Sequence, residues 1–238
     1  MIIDALTKKI ESKDKLCKPG IATFLNPFSY MLVRSRPELM KKFDYIFIDG
    51  QWLCYFLKFF KIVNVGRCSF DNTSAAPIVF SKFNEEAKKV AIVGSDIESC
   101  QKFGSYLASS YPNLNLVFLR NGYFDDEKDV QKCCNEIAQL EPDLVVVGMG
   151  AVKQEQFLVQ LKETGWKGVG YTCGGFIHQT ASKGHVYYPS WINKMNLRFV
   201  YRIWDEPKLI ARYTIDYSKF AFTFVYDSFL FHKKKLRA

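Results

Sequence analysis

No stretch of this 238-residue chain approaches the roughly 20 consecutive apolar residues that a membrane-spanning helix needs. The nearest candidates are interrupted by charge: Trp52 to Val65 by Lys58 and Lys61, and Phe220 to Phe231 by Asp227. The first ten residues carry Asp4, Lys8 and Lys9 and lack the apolar centre of a secretory signal, so a cytoplasmic protein is expected. Cysteine pairs are missing as well. Cys17, Cys54, Cys68, Cys100, Cys133, Cys134 and Cys173 form no CxxC spacing and no histidine cluster accompanies them. That argues for packed, reduced thiols and against a zinc site. There is no internal repeat and no low-complexity segment. Negative charge is in short supply: 24 acidic residues face 33 basic ones, leaving a net charge of +9. Such a balance favours polyanionic partners, whether nucleic acid, anionic lipid or a diphosphate ligand.

Aromatic residues, by contrast, make up 16% of the chain. Short apolar runs ending in Gly, Asn or Asp alternate with helix-like stretches. The runs Gly20 to Asn26, Tyr45 to Ile48, Val90 to Val93, Leu114 to Leu119, Leu144 to Val147 and Gly168 to Thr172 read as strands. Trp52 to Phe60, Pro77 to Glu86, Ile97 to Ser110, Val130 to Leu140 and Lys153 to Glu163 read as helices. Near-continuous apolar strands alternating with helices predict an α/β fold: a Rossmann-like, mostly parallel sheet with helices on both faces. In such sheets ligands bind beyond the carboxyl ends of the strands, where glycines let backbone N–H groups approach phosphate. The same glycines also serve as ordinary turn residues.

The composition changes near Trp191. Residues Trp191 to Ala238 hold ten basic and four acidic residues, two thirds of the net charge, together with twelve aromatics. This divides the chain into an α/β domain, 1–190, and a C-terminal helical appendage, 191–238. The appendage is expected to lie on an anionic membrane surface, on the inner face of the cytoplasmic membrane. The alternative is that its aromatics pack on the core while the terminal lysines are solvated.

An ordered set of motifs resembles the WecG/TagA/CpsF family, glycosyltransferase family 26. Gly148-Met149-Gly150-Ala151-Val152-Lys153-Gln154-Glu155 resembles the family's GxGxPKQE signature, with Val152 in place of Pro. Asp49-Gly50, Asn121-Gly122-Tyr123-Phe124, Cys173-Gly174-Gly175-Phe176, Pro189-Ser190-Trp191, Tyr201-Arg202, Glu206-Pro207 and Arg212-Tyr213 match other landmarks in the same order, from about Gly20 to Tyr213. The resemblance implies an inverting, metal-independent transfer from a UDP-sugar of N-acetylmannosamine, its uronate or glucose. The implied acceptor is a sugar linked to a polyprenyl (undecaprenyl) diphosphate in cell-surface polysaccharide synthesis. No cofactor is implied, and the chain has no DxD: Asp125-Asp126 lacks that spacing.

Residue by residue, the resemblance makes Asp71 the catalytic base, in Arg67-Cys68-Ser69-Phe70-Asp71. A single carboxylate near the acceptor hydroxyl suffices for that role, and Asp71 is also placed to cap a helix starting near Thr73. Donor-binding positions carried over are Asn26, Asp49, Gly50, Gly94, Gly122, Tyr123, Phe124, Gly148, Gly150, Gln154 and Glu155. Arg202 and Arg212 are carried over as cations for the phosphates and the acceptor, with Lys208 beside them as a further candidate, since a leaving diphosphate without a metal needs donors of this kind. His178 and His185 read as surface or hydrogen-bonding residues. A homo-oligomer is compatible with all of this. Other classes fit less well. A dinucleotide enzyme lacks the third glycine of GxGxxG after Gly148-Met149-Gly150. A basic nucleotide- or nucleic-acid-binding protein without transferase activity suits the charge, yet no nucleic-acid motif is present. A membrane-bound scaffold without catalysis remains a third alternative.

Overall fold

The computed structural model describes residues 1–183 and 212–237. Six strands pair throughout in parallel, in the order β2-β1-β6-β5-β3-β4. They are β1 (Gly20–Leu25), β2 (Tyr45–Ile48), β3 (Lys89–Gly94), β4 (Asn115–Arg120), β5 (Leu144–Gly148) and β6 (Val169–Thr172). Each lies within about a residue of its sequence reading. The sheet is wholly parallel and Rossmann-like, with helices covering both faces. Alternate strand residues feed two separate cores, as the period of two requires. Ile21, Ile46, Ile48, Val93, Val145 and Val147 face one core, while Ala22, Phe24, Phe47, Ile92, Val146 and Tyr171 face the other.

The first core is closed by α1 (Ile2–Thr7), α2 (Pro27–Val33), α3 (Pro37–Lys41), α4 (Gln51–Phe59), α7 (Glu127–Leu140) and α8 (Lys153–Glu163). The second is closed by α5 (Ala75–Glu85), α6 (Ile97–Ser110) and α9 (Phe176–Lys183). Helices α1, α2, α3 and α9 were not anticipated from the apolar pattern. They are five to eight residues long, too short for a 3.6-residue period to repeat. Helix α2 nevertheless carries a local start signal. Asn26 and Ser29 cap it reciprocally, with Pro27 at the first turn. All seven cysteines are free thiols and six are buried.

The boundary at 190 and the first part of the appendage, 191–211, lie outside the described residues. Beyond them, a π-helix, Arg212–Asp216, leads into α10 (Tyr217–Lys235). This helix is docked by both packing and charge. Phe220 and Phe224 enter the first core and meet Tyr30 and Phe56 ring to ring at 5.2–5.7 Å. Buried Asp227 accepts a two-pronged hydrogen bond from Arg34 at 2.7 Å and one from the Tyr30 hydroxyl at 2.7 Å. Burial, and then the Asp227 charge, push the Tyr30 hydroxyl well above the usual phenol range, so it stays a donor. Asp227→Ala leaves these donors without their acceptor. We expect it to cost about 2 kcal/mol of unfolding free energy in urea titrations, Arg34 being partly solvated. Hydrogen exchange should show α10 losing protection before the sheet does.

Candidate functional site

Two crossovers part at the carboxyl edge of the sheet. From β3 the chain passes through α6, on the second core, to β4. From β5 it returns through α8, on the first core, to β6. The amino ends of α6 and α8 therefore flank the β3/β5 junction from opposite faces, the arrangement that forms a ligand crevice in open parallel sheets. Glycine makes the junction possible. Gly94 has φ +154°, and a Cβ there would lie 2.4 Å from the Gly148 carbonyl oxygen. Beyond it opens a cleft of about 650 Å³, lined among others by Ser95, Gly122, Tyr123, Gly148, Met149 and Lys153.

Tyr123 is 73% exposed at the cleft. Phe124 is fixed behind it: its ring packs on Phe157 at 5.8 Å and lies 3.9 Å beneath the Arg120 guanidinium. Arg120 also pairs with Asp129 at 2.6 Å and donates to the Tyr123 carbonyl at 3.2 Å, so one arginine shapes the whole loop. Of the Asp125-Asp126 pair, Asp126 caps α7 through the Asp129 N–H and lines the cleft.

Gln154 and Glu155 follow Lys153 on α8, and both side chains are turned inward. Glu155 is completely buried and is not among the cleft-lining residues. Its carboxylate accepts from the Val152 N–H at 2.5 Å, the Thr23 hydroxyl at 2.8 Å and the Gln154 amide at 3.1 Å. The chain continues to Thr172, whose hydroxyl donates to Thr23 at 2.9 Å. Gln154 accepts from the Gly174 N–H at 3.0 Å. These two side chains thus tie α8 to β1 and to the turn after β6. The turn they hold is strained: Val152 sits at φ +75°, a region that β-branched residues avoid. The chemical consequence falls on Lys153, whose side chain borders the cleft directly after this turn.

A second polar group occupies the same sheet edge, beyond β1 and β2. Arg67 donates to the Asp49 carbonyl at 2.6 Å, the Asp49 carboxylate at 3.0 Å, Ser69 at 2.8 Å and Asp71 at 3.4 Å. Asp71 also accepts from the Ser69 hydroxyl at 2.6 Å and from Thr73 N–H and hydroxyl at 2.8 and 2.5 Å. It caps the turn before α5, whose own N-cap is Ser74. Asn72 reaches Thr180 of α9, and Phe70 packs on Phe176, which holds the segment over the sheet edge. The Asp71 side chain is 21% exposed.

The sequence-derived positions thus fall into two stations on one edge. Gly122, Tyr123, Phe124 and Gly148 line the cleft, with Gly94 beneath it and Gly150 opening the turn to α8. Asn26, Asp49, Gly50 and Asp71 gather beyond β1 and β2, where Asn26 caps α2 and a Cβ on Gly50 would meet Pro27 at 2.5 Å. Asp71 does not itself line the cleft. Arg202, Lys208 and His185 lie outside the described residues, and Arg212 opens the π-helix. His178 shares a 2.9 Å hydrogen bond with Ser99 beside Asp96. Sequence reasoning passed over Ser95, Met149 and the linking role of Arg67. For Arg67, the Arg-x-Ser-x-Asp spacing of residues 67–71 was the available signal. Among the described residues, no three His, Cys, Asp or Glu side chains converge on a metal-sized position.

Burial raises the Glu155 pKa above its ordinary 4.5, against the lowering effect of its hydrogen bonds. The folded form therefore keeps this proton to higher pH than the unfolded chain. The linked stability is complete below the unfolded value and is lost as pH rises through the folded one. Urea titrations across pH should show this decline in the parent and a flatter profile in Glu155→Gln.

The glycosyl transferase WecG/TagA/CpsF family model matches residues 2–235. The chain is 30% identical over 236 residues to UDP-Gal:alpha-D-GlcNAc-diphosphoundecaprenol beta-1,4-galactosyltransferase of Shigella boydii, covering 96% of this chain and 97% of that protein. It is 28% identical over 139 residues to the N-acetylglucosaminyldiphosphoundecaprenol N-acetyl-beta-D-mannosaminyltransferase of Bacillus subtilis, and 27% over 129 residues to that of Staphylococcus aureus. These shorter matches cover 56% and 52% of this chain and 52% and 48% of the relatives. With a parallel sheet, a crevice at its β3/β5 junction and a family match across nearly the whole length, the chain belongs to the WecG/TagA/CpsF family of glycosyltransferases.

Proposed function

We propose that this enzyme moves a hexose from a UDP-sugar to a sugar linked to undecaprenyl diphosphate, with inversion, in the synthesis of a cell-surface polysaccharide. The observation that carries the reading is the pair of stations on one sheet edge: a glycine-floored cleft beside Lys153, and the oriented Asp71 carboxylate beyond β1 and β2. In this reading the nucleotide occupies the cleft, with its base against exposed Tyr123 and its diphosphate near Gly148 and Lys153. The Asp71 carboxylate takes the proton of the acceptor hydroxyl. The hydroxyl oxygen then bonds to the anomeric carbon while the bond to the diphosphate breaks and its electrons leave with the nucleotide. Arg202, Lys208 and Arg212 are our candidates for neutralising the charge on the departing diphosphate.

The Shigella boydii relative, similar along its full length, favours galactose as the sugar and a GlcNAc-diphospholipid as the acceptor. That adds galactose to the donors expected from the sequence motifs. A lipid-linked acceptor puts the reaction at a membrane surface, and a UDP-sugar donor puts it on the cytoplasmic side.

The assay incubates UDP-galactose, UDP-glucose and UDP-N-acetylmannosamine separately with a short-chain GlcNAc-diphospholipid, followed by mass and linkage analysis. A single galactosylated product of inverted anomeric configuration is expected; no product with any UDP-sugar would overturn the reading. Asp71→Asn keeps the side chain's shape and should lower turnover by about 10²- to 10⁴-fold with donor affinity preserved. Unchanged turnover in a folded variant would remove Asp71 from the role of base.

A further inference from the structure

Helix α4 buries Leu53, Cys54 and Leu57 and turns its other side outward. Trp52, Tyr55 and Phe59 stand on that outer side, spaced by three and four residues, with Phe59 79% exposed. They form a ridge about 10 Å long at 1.5 Å rise per residue. It begins at Trp52, three residues along the chain from Asp49 of the Arg67–Asp71 group, with Gly50 as the N-cap between them. Phe56 and Phe60 of this segment pack against Phe220 and Phe224 of α10, and His232 bonds to the Phe60 carbonyl at 2.7 Å. On α10 a second ridge points away from the core: Phe222, Val225, Tyr226 and Phe229, with Phe222 80% exposed. Soluble proteins seldom leave two neighbouring helices so apolar on their outer sides.

The charge around these ridges is predominantly basic, with Asp4 of α1 paired to Lys234 of α10 at 2.8 Å. No acidic residue occurs from Gln51 to Gly66, where Lys58 and Lys61 are exposed. On α10 the one acidic residue, Asp227, is buried in its pair with Arg34, while Lys219, Lys233, Lys234 and Lys235 are exposed. Aromatic anchors with a predominantly basic rim are complementary to an anionic interface, and Trp and Tyr suit the boundary between headgroup and acyl chain.

We infer that the outer faces of α4 and α10 together form a docking surface for an anionic lipid bilayer, with the α4 ridge setting the Asp71 group down beside the headgroups. The core helix α4, and not the C-terminal segment alone, then makes the contact. The inference rests on the transferase reading only in what it means for the acceptor: a lipid diphosphate would meet Asp71 at the interface without leaving the bilayer.

The test uses the full chain without donor or acceptor, so its outcome does not depend on transfer. Flotation compares vesicles of phosphatidylglycerol and phosphatidylethanolamine with vesicles of phosphatidylcholine. We expect binding to the anionic vesicles that the double variant Tyr55→Ser/Phe59→Ser weakens at least about tenfold. Phe222→Ser/Phe229→Ser should have a comparable effect. All four side chains are exposed, so circular dichroism and activity on a water-soluble short-chain acceptor should match the parent. Dibrominated lipid should quench tryptophan emission in the parent, and Trp52→Phe should remove a measurable part of that quenching while keeping vesicle affinity. Parent-like binding by Tyr55→Ser/Phe59→Ser, or quenching unaltered in Trp52→Phe, would overturn the proposal. So would a parent dimer in sedimentation that Tyr55→Ser/Phe59→Ser converts to monomer, since a second copy would then cover the face.

Discussion

The approach of two backbones at Gly94 and Gly148 is the constraint on which the rest of the site depends. A β-carbon on Gly94 would overlap the Gly148 carbonyl, so any other residue there would force β3 and β5 apart at their ends. Because they close up, the Ser95 N–H can donate to that carbonyl at 3.0 Å, and the Gly122 N–H to the Ser95 carbonyl at 2.8 Å. Three loops are thereby drawn to one point. The amino ends of α6 and α8 flank that point from opposite faces, and the cleft is the space left between them.

The turn into α8 depends on a different kind of restraint. Glu155, Gln154, Thr23 and Thr172 form a buried polar chain joining α8 to β1 and β6. Buried polar groups of this sort are costly unless fully paired, and here each finds a partner within the group or its neighbouring backbone. The strain at Val152 is tolerated because Glu155 holds the Val152 N–H. Gln154 and Glu155, carried over from the motif as donor-binding positions, hold the turn from which Lys153 faces the cleft.

The aromatic excess divides among three tasks. Phe24, Phe70, Phe80, Phe103 and Phe176 build the second core through edge-to-face and tilted ring contacts. Phe56, Phe220 and Phe224 seal α10 against α4. Trp52, Tyr55, Phe59, Phe222 and Phe229 are left outside. Composition records the total but not the division, because an aromatic on either side of a helix contributes the same to a count.

The strands, the long helices and the family's ordered motifs were legible in the chain, because apolar runs of four to six residues and helices of nine or more residues carry their periodicity locally. Asp71, the glycines after the strands and the Gly148-to-Glu155 signature were readable for the same reason: each is a short, contiguous pattern. The short helices α1, α2, α3 and α9 were not, since one or two turns do not establish a period. Nor was the inward turn of Gln154 and Glu155, the bridging of Asp49, Ser69 and Asp71 by Arg67, or the pairing of Asp227 with Arg34 across 193 residues. These are contacts between segments far apart along the chain. They come into existence only when the sheet order and the crossovers bring those segments within a few ångströms of one another.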